Sequence, residues 1–127
     1  MAWKEQERRR YTRAVIPCRI EVSSPHQPLI SHTENIGEGG VRVFLEEKLK
    51  LLSIVDLRIF LEKQSPIKCK GKVVWIAERL NPVDHKPLLF DTGIEFTEMD
   101  EPGRKYIGKL VDTVLTKEKI FKVSLPM

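Results

Sequence analysis

Short stretches in which apolar and polar residues alternate recur along this chain, and they constrain its fold more than any other feature. In the first stretch Ile16, Cys18 and Ile20 share one face, and Arg19 and Glu21 lie on the other. Alternation with a period of two residues is typical of a β-strand with one buried face. The pattern predicts six strands, over residues 14–22, 29–34, 41–45, 54–61, 67–78 and 88–96.

The spacing of these strands predicts a barrel. Turn-forming residues separate the strands, as in residues 23–28 and 78–86. Six short strands at regular spacing favour a closed or nearly closed antiparallel barrel, because closure removes exposed sheet edges. Pro17 has no backbone donor, so it predicts an edge position or a bulge in the first strand.

A helix is predicted after the last strand. Asp100 and Pro102 are residue types that favour a helix start, and apolar residues then recur at helical spacing as far as Leu115. This amphipathic helix, over about residues 99–119, is expected to cap the barrel or pair with a partner. The fold prediction is therefore mainly β, with a six-stranded antiparallel barrel and a C-terminal helix.

A chain of 127 residues is long enough for one domain with a real core. We predict a flexible basic N-terminal arm at residues 1–13, a barrel with its helix at residues 14–120, and a tail at residues 121–127. Residues 1–13 show no strand alternation, and such an arm can close over a ligand and become ordered only when the ligand arrives.

The excess positive charge lies beside this arm. The net charge is +4, and residues 1–20 hold six basic and two acidic residues, which accounts for all of it. The rest of the chain carries sixteen charges of each sign and is neutral. A solvated charge run is one interpretation, and an anion-binding arm is the other, because like charges at this density repel unless an anion relieves them.

Two short motifs carry the candidate chemistry. The first is Arg8-Arg9-Arg10-Tyr11-Thr12-Arg13, a dense set of guanidinium groups whose planar donors match phosphate oxygens. The second, residues 35–40, is an asparagine followed by three glycines within five positions. Glycines allow the backbone to turn sharply and to come close to a ligand, although an ordinary hairpin turn explains them equally well.

Together these motifs resemble the PilZ family, whose signature pairs an RxxxR arm with a later [D/N]xSxxG turn. Arg9 and Arg13 match the first part, and Asn35 and Gly40 match the second. Gly37 stands where the family usually has serine, so a ligand-binding hydroxyl is absent. The resemblance implies a six-stranded barrel with a C-terminal helix and a receptor for the bacterial second messenger cyclic di-GMP (c-di-GMP).

The resemblance and the residue chemistry together give a set of candidate ligand-binding residues. Arginine forks would grip phosphate or the guanine O6 and N7 acceptors. Asn35 would offer a carbonyl to guanine N–H groups, and the glycines would allow close approach. The predicted set is Arg8, Arg9, Arg10, Arg13, Asn35, Gly37, Gly39, Gly40 and Trp75.

Two members of the set carry further hypotheses. Trp75 could stack on a purine, but its position on the apolar face of its strand favours core packing. Arg8 and Arg10 exceed the RxxxR minimum, which suggests a site for two stacked ligand molecules, since a second copy doubles the phosphates to be neutralised. Ligand binding would order the arm and signal to a protein partner.

Two other functions remain open at this point. A PilZ-like barrel that has lost ligand binding could serve as a protein-interaction scaffold, and the absent serine supports that alternative. The basic arm could instead bind nucleic acid non-specifically, but the neutral remainder and the lack of an aromatic ladder disfavour it.

Catalysis and metal binding are not indicated. His26, His32 and His85 lie in or beside predicted loops without carboxylate or cysteine neighbours at ligand spacing. Cys18 and Cys69 form no metal motif and are expected to be small buried groups. We predict no enzyme activity, no cofactor and no metal. The sequence shows no membrane-spanning run and no apolar leader, so we expect a cytoplasmic protein.

Overall fold

The alternating segments form a β-sheet in the computed structural model, which describes residues 12–124 and the side chains of residues 12–117. The elements are β1 (Arg13–Ala14), β2 (Arg19–Val22), β3 (Leu29–Gly37), β4 (Gly40–Leu45), β5 (Ile54–Phe60), β6 (Ile67–Leu80), β7 (Pro87–Glu98) and α1 (Glu101–Ser124). The six predicted strands are all present, and β1 and β2 together occupy the first predicted segment.

The sheet closes into a barrel. Strands β3, β2, β5, β6, β7 and β4 are neighbours in that order, and the pairing of β3 with β4 joins the two ends. Every pairing is antiparallel. The short β1 lies outside this ring, paired to the end of β3. The predicted closed barrel is therefore confirmed, with one additional outer strand.

The inward-facing apolar residues fill the barrel. Ile20, Ile36, Val43, Ile59 and Ile94 come from five different strands, and none is more than 1% exposed. Burial of each such side chain contributes about 1.5–3 kcal/mol relative to its exposure to water. This shared core holds the six strands in one register, because a slip of one residue would turn an apolar set toward solvent.

Pro17 divides the first predicted strand into two. The chain leaves the sheet after Ala14 and returns at Arg19. Thr33 on β3 spans the gap: its hydroxyl donates to the Ile16 carbonyl (2.5 Å) and accepts from the Cys18 N–H (3.1 Å). The backbone groups near the proline are thus satisfied without a regular ladder. The consequence is that β1, which carries Arg13, is a separate short strand.

The core-packing interpretation of Trp75 is wrong. The pairing of β6 with β7 shifts register between Val73 and Trp75. Val73 is fully buried, whereas Trp75 is 38% exposed, so the irregularity turns the indole to the outer face. A β-bulge changes which face the following side chains occupy, and strict alternation cannot predict it.

Helix α1 covers one end of the barrel. The Asp100 carboxylate accepts a hydrogen bond from the Gly103 N–H (2.8 Å), as an N-cap residue does. Ile107 and Val111 are buried against the barrel, and Arg104 donates to the Glu38 carbonyl (3.0 Å). The helix ends at Ser124, beyond the predicted end at residue 119. The predicted cap is present, and it lies against the β3–β4 turn.

Candidate functional site

The structure brings Arg13 beside the glycine turn. Strand β1 pairs Arg13 with Gly37 and Ala14 with Ile36. The Arg13 Cγ lies 3.0 Å from the point where a Cβ on Gly37 would stand. The last arginine of the first motif and the first glycine of the second are thus direct neighbours. Arg8, Arg9 and Arg10 lie outside the described residues.

Gly37 is required here by close packing. A Cβ at this position would clash with the Thr12 carbonyl oxygen, because the two atoms would be closer than non-bonded atoms can lie. Gly37 does not have a positive φ, and neither does any other glycine among residues 12–124. The absence of serine therefore has a structural reason: it lets β1 lie against the end of β3.

Gly39 and Gly40 belong to the same tight connection. Gly40 begins β4, and a Cβ there would meet the Ile94 carbonyl oxygen of β7. The Gly39 carbonyl accepts a hydrogen bond from the Phe96 N–H (2.9 Å). Both residues therefore attach the turn to β7, which is a structural role. The predicted contact with the ligand would be a second role for them.

If the chain binds c-di-GMP, as the resemblance to the PilZ family implies, we expect Gly37→Ser, which introduces the residue usual in that family, to weaken ligand binding rather than strengthen it. The new Cβ would push Thr12 and Arg13 away from β3, and overpacking of this kind typically costs about 1–3 kcal/mol. Calorimetric titration with c-di-GMP measures the effect, with Ser31→Ala on the same strand as the control. An affinity for Gly37→Ser above that of the unmodified chain would show that the hydroxyl matters more than the packing.

Asn35 carries a buried side-chain oxygen. Its Oδ1 has no hydrogen bond to any residue of the described part of the chain. A buried acceptor left unsatisfied costs about 1–3 kcal/mol, so native proteins rarely keep one without a reason. The oxygen is therefore suited to accept from a donor that lies outside residues 12–117.

Asn35 begins a row of residues that crosses four strands. It pairs with Arg42 on β4, Arg42 pairs with Gly93 on β7, and Gly93 pairs with Trp75 on β6. At 4.7–4.9 Å between strands, three spacings put about 14 Å between the two ends of the row. This outer face is wider than a single purine base.

Trp75 lies flat on this face. A Cβ on Gly93 would meet the Trp75 Nε1, Cε2 and Cδ1 atoms, so the indole covers the glycine. The lack of a side chain at Gly93 is what admits the ring. One face of the indole contacts the sheet, and the 38% exposure of the residue leaves the other open for stacking.

A buried ion-pair cluster lies next to Trp75. Asp91 accepts hydrogen bonds from Arg42 Nε (2.8 Å) and Nη2 (2.6 Å) and from Arg79 Nη2 (3.2 Å). The hydrogen bond from Arg42 is the main reason why the pKa of the Asp91 carboxyl lies below its ordinary value, although burial opposes the shift. The guanidinium carbons of Arg42 and Arg79 also lie 5.5 and 5.7 Å from the Phe44 ring centre.

Sequence reasoning missed this cluster. Arg42 and Asp91 occupy outward positions of predicted strands, where solvated charges are the default interpretation, and Arg79 falls in the predicted loop over residues 78–86. The signal that could have found them is Asp91 itself, an acidic residue within the apolar run of residues 88–96. Such a residue needs a cationic partner if it is buried, and it is 3% exposed.

The two cysteines behave as predicted. Both are free and buried. Burial raises the pKa of the Cys18 thiol, and it raises the pKa of the Cys69 thiol to about 12. Burial therefore disfavours the nucleophilic thiolate form at both positions. Among the side chains of residues 12–117, no cluster of three or more histidine, cysteine or acidic groups could hold a metal ion. Within residues 12–124, no helix is long and apolar enough to cross a bilayer.

Several solved structures superpose on this chain. The inhibitor of motility MotI/DgrA from Bacillus subtilis superposes with a TM-score of 0.73 and 17% identity, over 87% of this chain and 52% of that one. The PilZ domain of Escherichia coli YcgR, solved with c-di-GMP, superposes with a TM-score of 0.68 and 12% identity, over 93% and 99%. The MrkH–c-di-GMP complex from K. pneumoniae gives 0.69 and 14%, over 88% and 54%.

The present chain thus spans about half the length of MotI/DgrA and MrkH, and nearly all of the YcgR domain. A comparison with curated protein sequences finds no match. The PilZ domain family model matches residues 7–113. This range holds both the arginine and the glycine motif, the barrel and the first half of α1, and the chain therefore belongs to the PilZ family.

Proposed function

We propose that this chain is a c-di-GMP receptor whose arginine-rich arm folds over the barrel when the ligand binds. The observation that carries the proposal is the position of Arg13 beside Gly37, on the same strand end as the unpartnered Asn35 oxygen. Two of the structural relatives, the YcgR domain and MrkH, were solved with c-di-GMP.

The candidate residues bind different parts of the ligand. Arg9 and Arg13 bind the phosphates, because guanidinium and phosphate form paired, charge-assisted hydrogen bonds. Asn35 Oδ1 accepts from guanine N1–H or N2–H, which satisfies the buried acceptor. Trp75 stacks on the other base, an interaction worth about 1–3 kcal/mol. Arg8 and Arg10 provide the charge for a second, stacked ligand molecule.

Ordering of the arm is the proposed signal. Arg13 and Ala14 of β1 pair with the end of β3, which places the last residue of the arm beside the glycine turn. Phosphates bound between the arm and the outer face would join two surfaces that are otherwise separate. The joined surface creates or covers an epitope for a protein partner.

The proposed place of action is the cytoplasm. The two cysteines are free, which agrees with a reducing compartment where disulfides are rare.

The scaffold alternative loses its main support in this structure. It depended on the absent serine, and Gly37 has a packing reason of its own. One observation favours non-specific nucleic-acid binding: the excess positive charge lies within residues 1–20. That alternative predicts affinity for any polyanion and a steep fall with salt.

Titration with c-di-GMP, followed by calorimetry and backbone NMR, tests the proposal. We expect Arg9→Ala and Arg13→Ala each to lower the affinity about 10- to 100-fold, because hydrogen bonds to charged groups contribute about 1.5–3 kcal/mol. The matched control is Arg58→Ala, an arginine of β5 that forms an ion pair with Glu21 on another face of the barrel.

Three outcomes separate the alternatives. Saturable binding with ordered arm resonances supports the receptor, and the calorimetric stoichiometry decides between one and two ligand molecules. Equal binding of a single-stranded oligonucleotide would favour the nucleic-acid interpretation. No binding of c-di-GMP at submillimolar concentration would leave the interaction scaffold.

A further inference from the structure

We infer that Arg79 reads the guanine base that stacks on Trp75, and that Asp91 and Arg42 hold Arg79 in position for this contact. The inference rests on the proposed function, and it assigns the part of the site that discriminates guanine from adenine. None of these three residues belongs to the RxxxR or the glycine motif.

The placement follows from the register of β7. Gly93 and Asp91 are two residues apart on the same face of this strand, hence about 7 Å apart. The Trp75 indole covers Gly93, and the two guanidinium groups bind Asp91. A base that stacks on the exposed face of the indole therefore has one edge beside these guanidinium groups.

The two arginines differ in how much of the guanidinium remains available. Arg42 uses both Nε and Nη2 on Asp91, and its side chain is 32% exposed. Arg79 gives Asp91 only one hydrogen bond, from Nη2 at 3.2 Å, and its side chain is 57% exposed. Arg79 thus has the open donor edge, whereas Arg42 fixes the carboxylate that orients it.

The carboxylate also limits where the Arg79 guanidinium can go. Asp91 is fixed by the two bonds from Arg42, and the Phe44 ring lies against both arginines. A guanidinium held on two sides loses less rotamer entropy when it binds a ligand than a free one would. Glu34 is a second acidic residue whose charge raises the pKa of Arg42. It lies on β3, so Arg42 on β4 lies between Glu34 and Arg79.

The chemistry selects guanine over adenine. Guanine offers two adjacent acceptors, O6 and N7, to a guanidinium fork. Adenine offers N7 but places an amino donor at position 6, so one arginine donor faces another donor. Arg79 therefore favours a guanine-containing dinucleotide, and a phosphate contact would show no such preference.

The experiment compares c-di-GMP with c-di-AMP on the full chain, by competition against a fluorescent c-di-GMP analogue. We expect Arg79→Ala to lower the affinity for c-di-GMP about 10- to 100-fold and to leave that for c-di-AMP nearly unchanged. Asp91→Asn should produce part of the same loss of preference. Arg58→Ala is the control, because it removes an equally charged arginine from another face.

Each other result has a defined meaning. An equal loss of affinity for c-di-GMP and c-di-AMP in Arg79→Ala would overturn the inference and make Arg79 a phosphate contact. Unchanged affinity for both would also overturn it and leave the cluster with a purely structural role. Circular dichroism verifies that Arg79→Ala is folded. If the unmodified chain does not bind c-di-GMP, the proposed function itself is wrong. If the unmodified chain binds but Arg79→Ala does not behave as expected, only the role of Arg79 is wrong.

Discussion

Asp91→Ala is expected to destabilise the barrel by about 2–3 kcal/mol, because a buried carboxylate that accepts hydrogen bonds from charged donors is lost. The substitution removes a carboxylate that is 3% exposed and leaves Arg42 and Arg79 without the acceptor of three hydrogen bonds. For a domain of this size the midpoint of thermal unfolding would fall by about 10 °C. Chemical denaturation at neutral pH measures the free energy of unfolding directly.

A matched acidic residue gives the control. Asp56 lies 3.9 Å from Lys70, and its side chain is 73% exposed. Asp56→Ala should change the free energy of unfolding by less than about 0.5 kcal/mol, since exposed ion pairs contribute little. A loss for Asp91→Ala no larger than this would mean that the buried cluster contributes no net stability.

The Asp91 contribution should also depend on pH. The hydrogen bond from Arg42 is the main cause that lowers the pKa of this carboxyl in the folded state. A carboxyl with a lowered folded pKa stabilises the protein above its ordinary unfolded value of about 3.9, and the stabilisation is lost as the pH falls through the folded value. The difference between the unmodified chain and Asp91→Ala should therefore shrink below about pH 4.

Much of the fold was predictable because local pattern and global architecture agree in this chain. The alternation continues across the break at Pro17, since Ala14 before it and Cys18 and Ile20 after it are all buried. The helix was predictable because Asp100 and the spacing of Ile107 and Val111 are local signals. Such features depend on residues that are near one another in sequence.

The features that sequence missed depend on distant residues. The change of face at Trp75 follows from a register shift between β6 and β7, and no residue of β6 alone signals it. Asp91 and Arg42 are 49 positions apart, and each has the pattern of a solvated strand residue. The steric reason for Gly37 lies in Thr12, which only the pairing of β1 with β3 brings close.

Asn35→Ala is expected to lower the affinity for c-di-GMP at least about 10-fold while leaving the barrel at least as stable as before. The Asn35 oxygen is buried and accepts no hydrogen bond from the described part of the chain, so it destabilises the ligand-free protein. Removal of the amide relieves up to about 1 kcal/mol of that cost, which offsets the packing that the side chain loses. Under the proposed function, ligand binding loses the acceptor that we assign to the guanine N–H groups, and the affinity falls accordingly.

The opposite signs of the two effects make this the most discriminating variant for the site. A residue that only supports the fold would lose stability and affinity together, because the folded, competent population shrinks. A residue kept for its ligand gains or keeps stability as it loses affinity, which is the behaviour expected where a polar group is held ready for a partner. Thermal unfolding and calorimetric titration of Asn35→Ala, with Ser31→Ala of the same strand as the control, distinguish these cases. A clear loss of stability with unchanged affinity would assign Asn35 to the fold and remove it from the site.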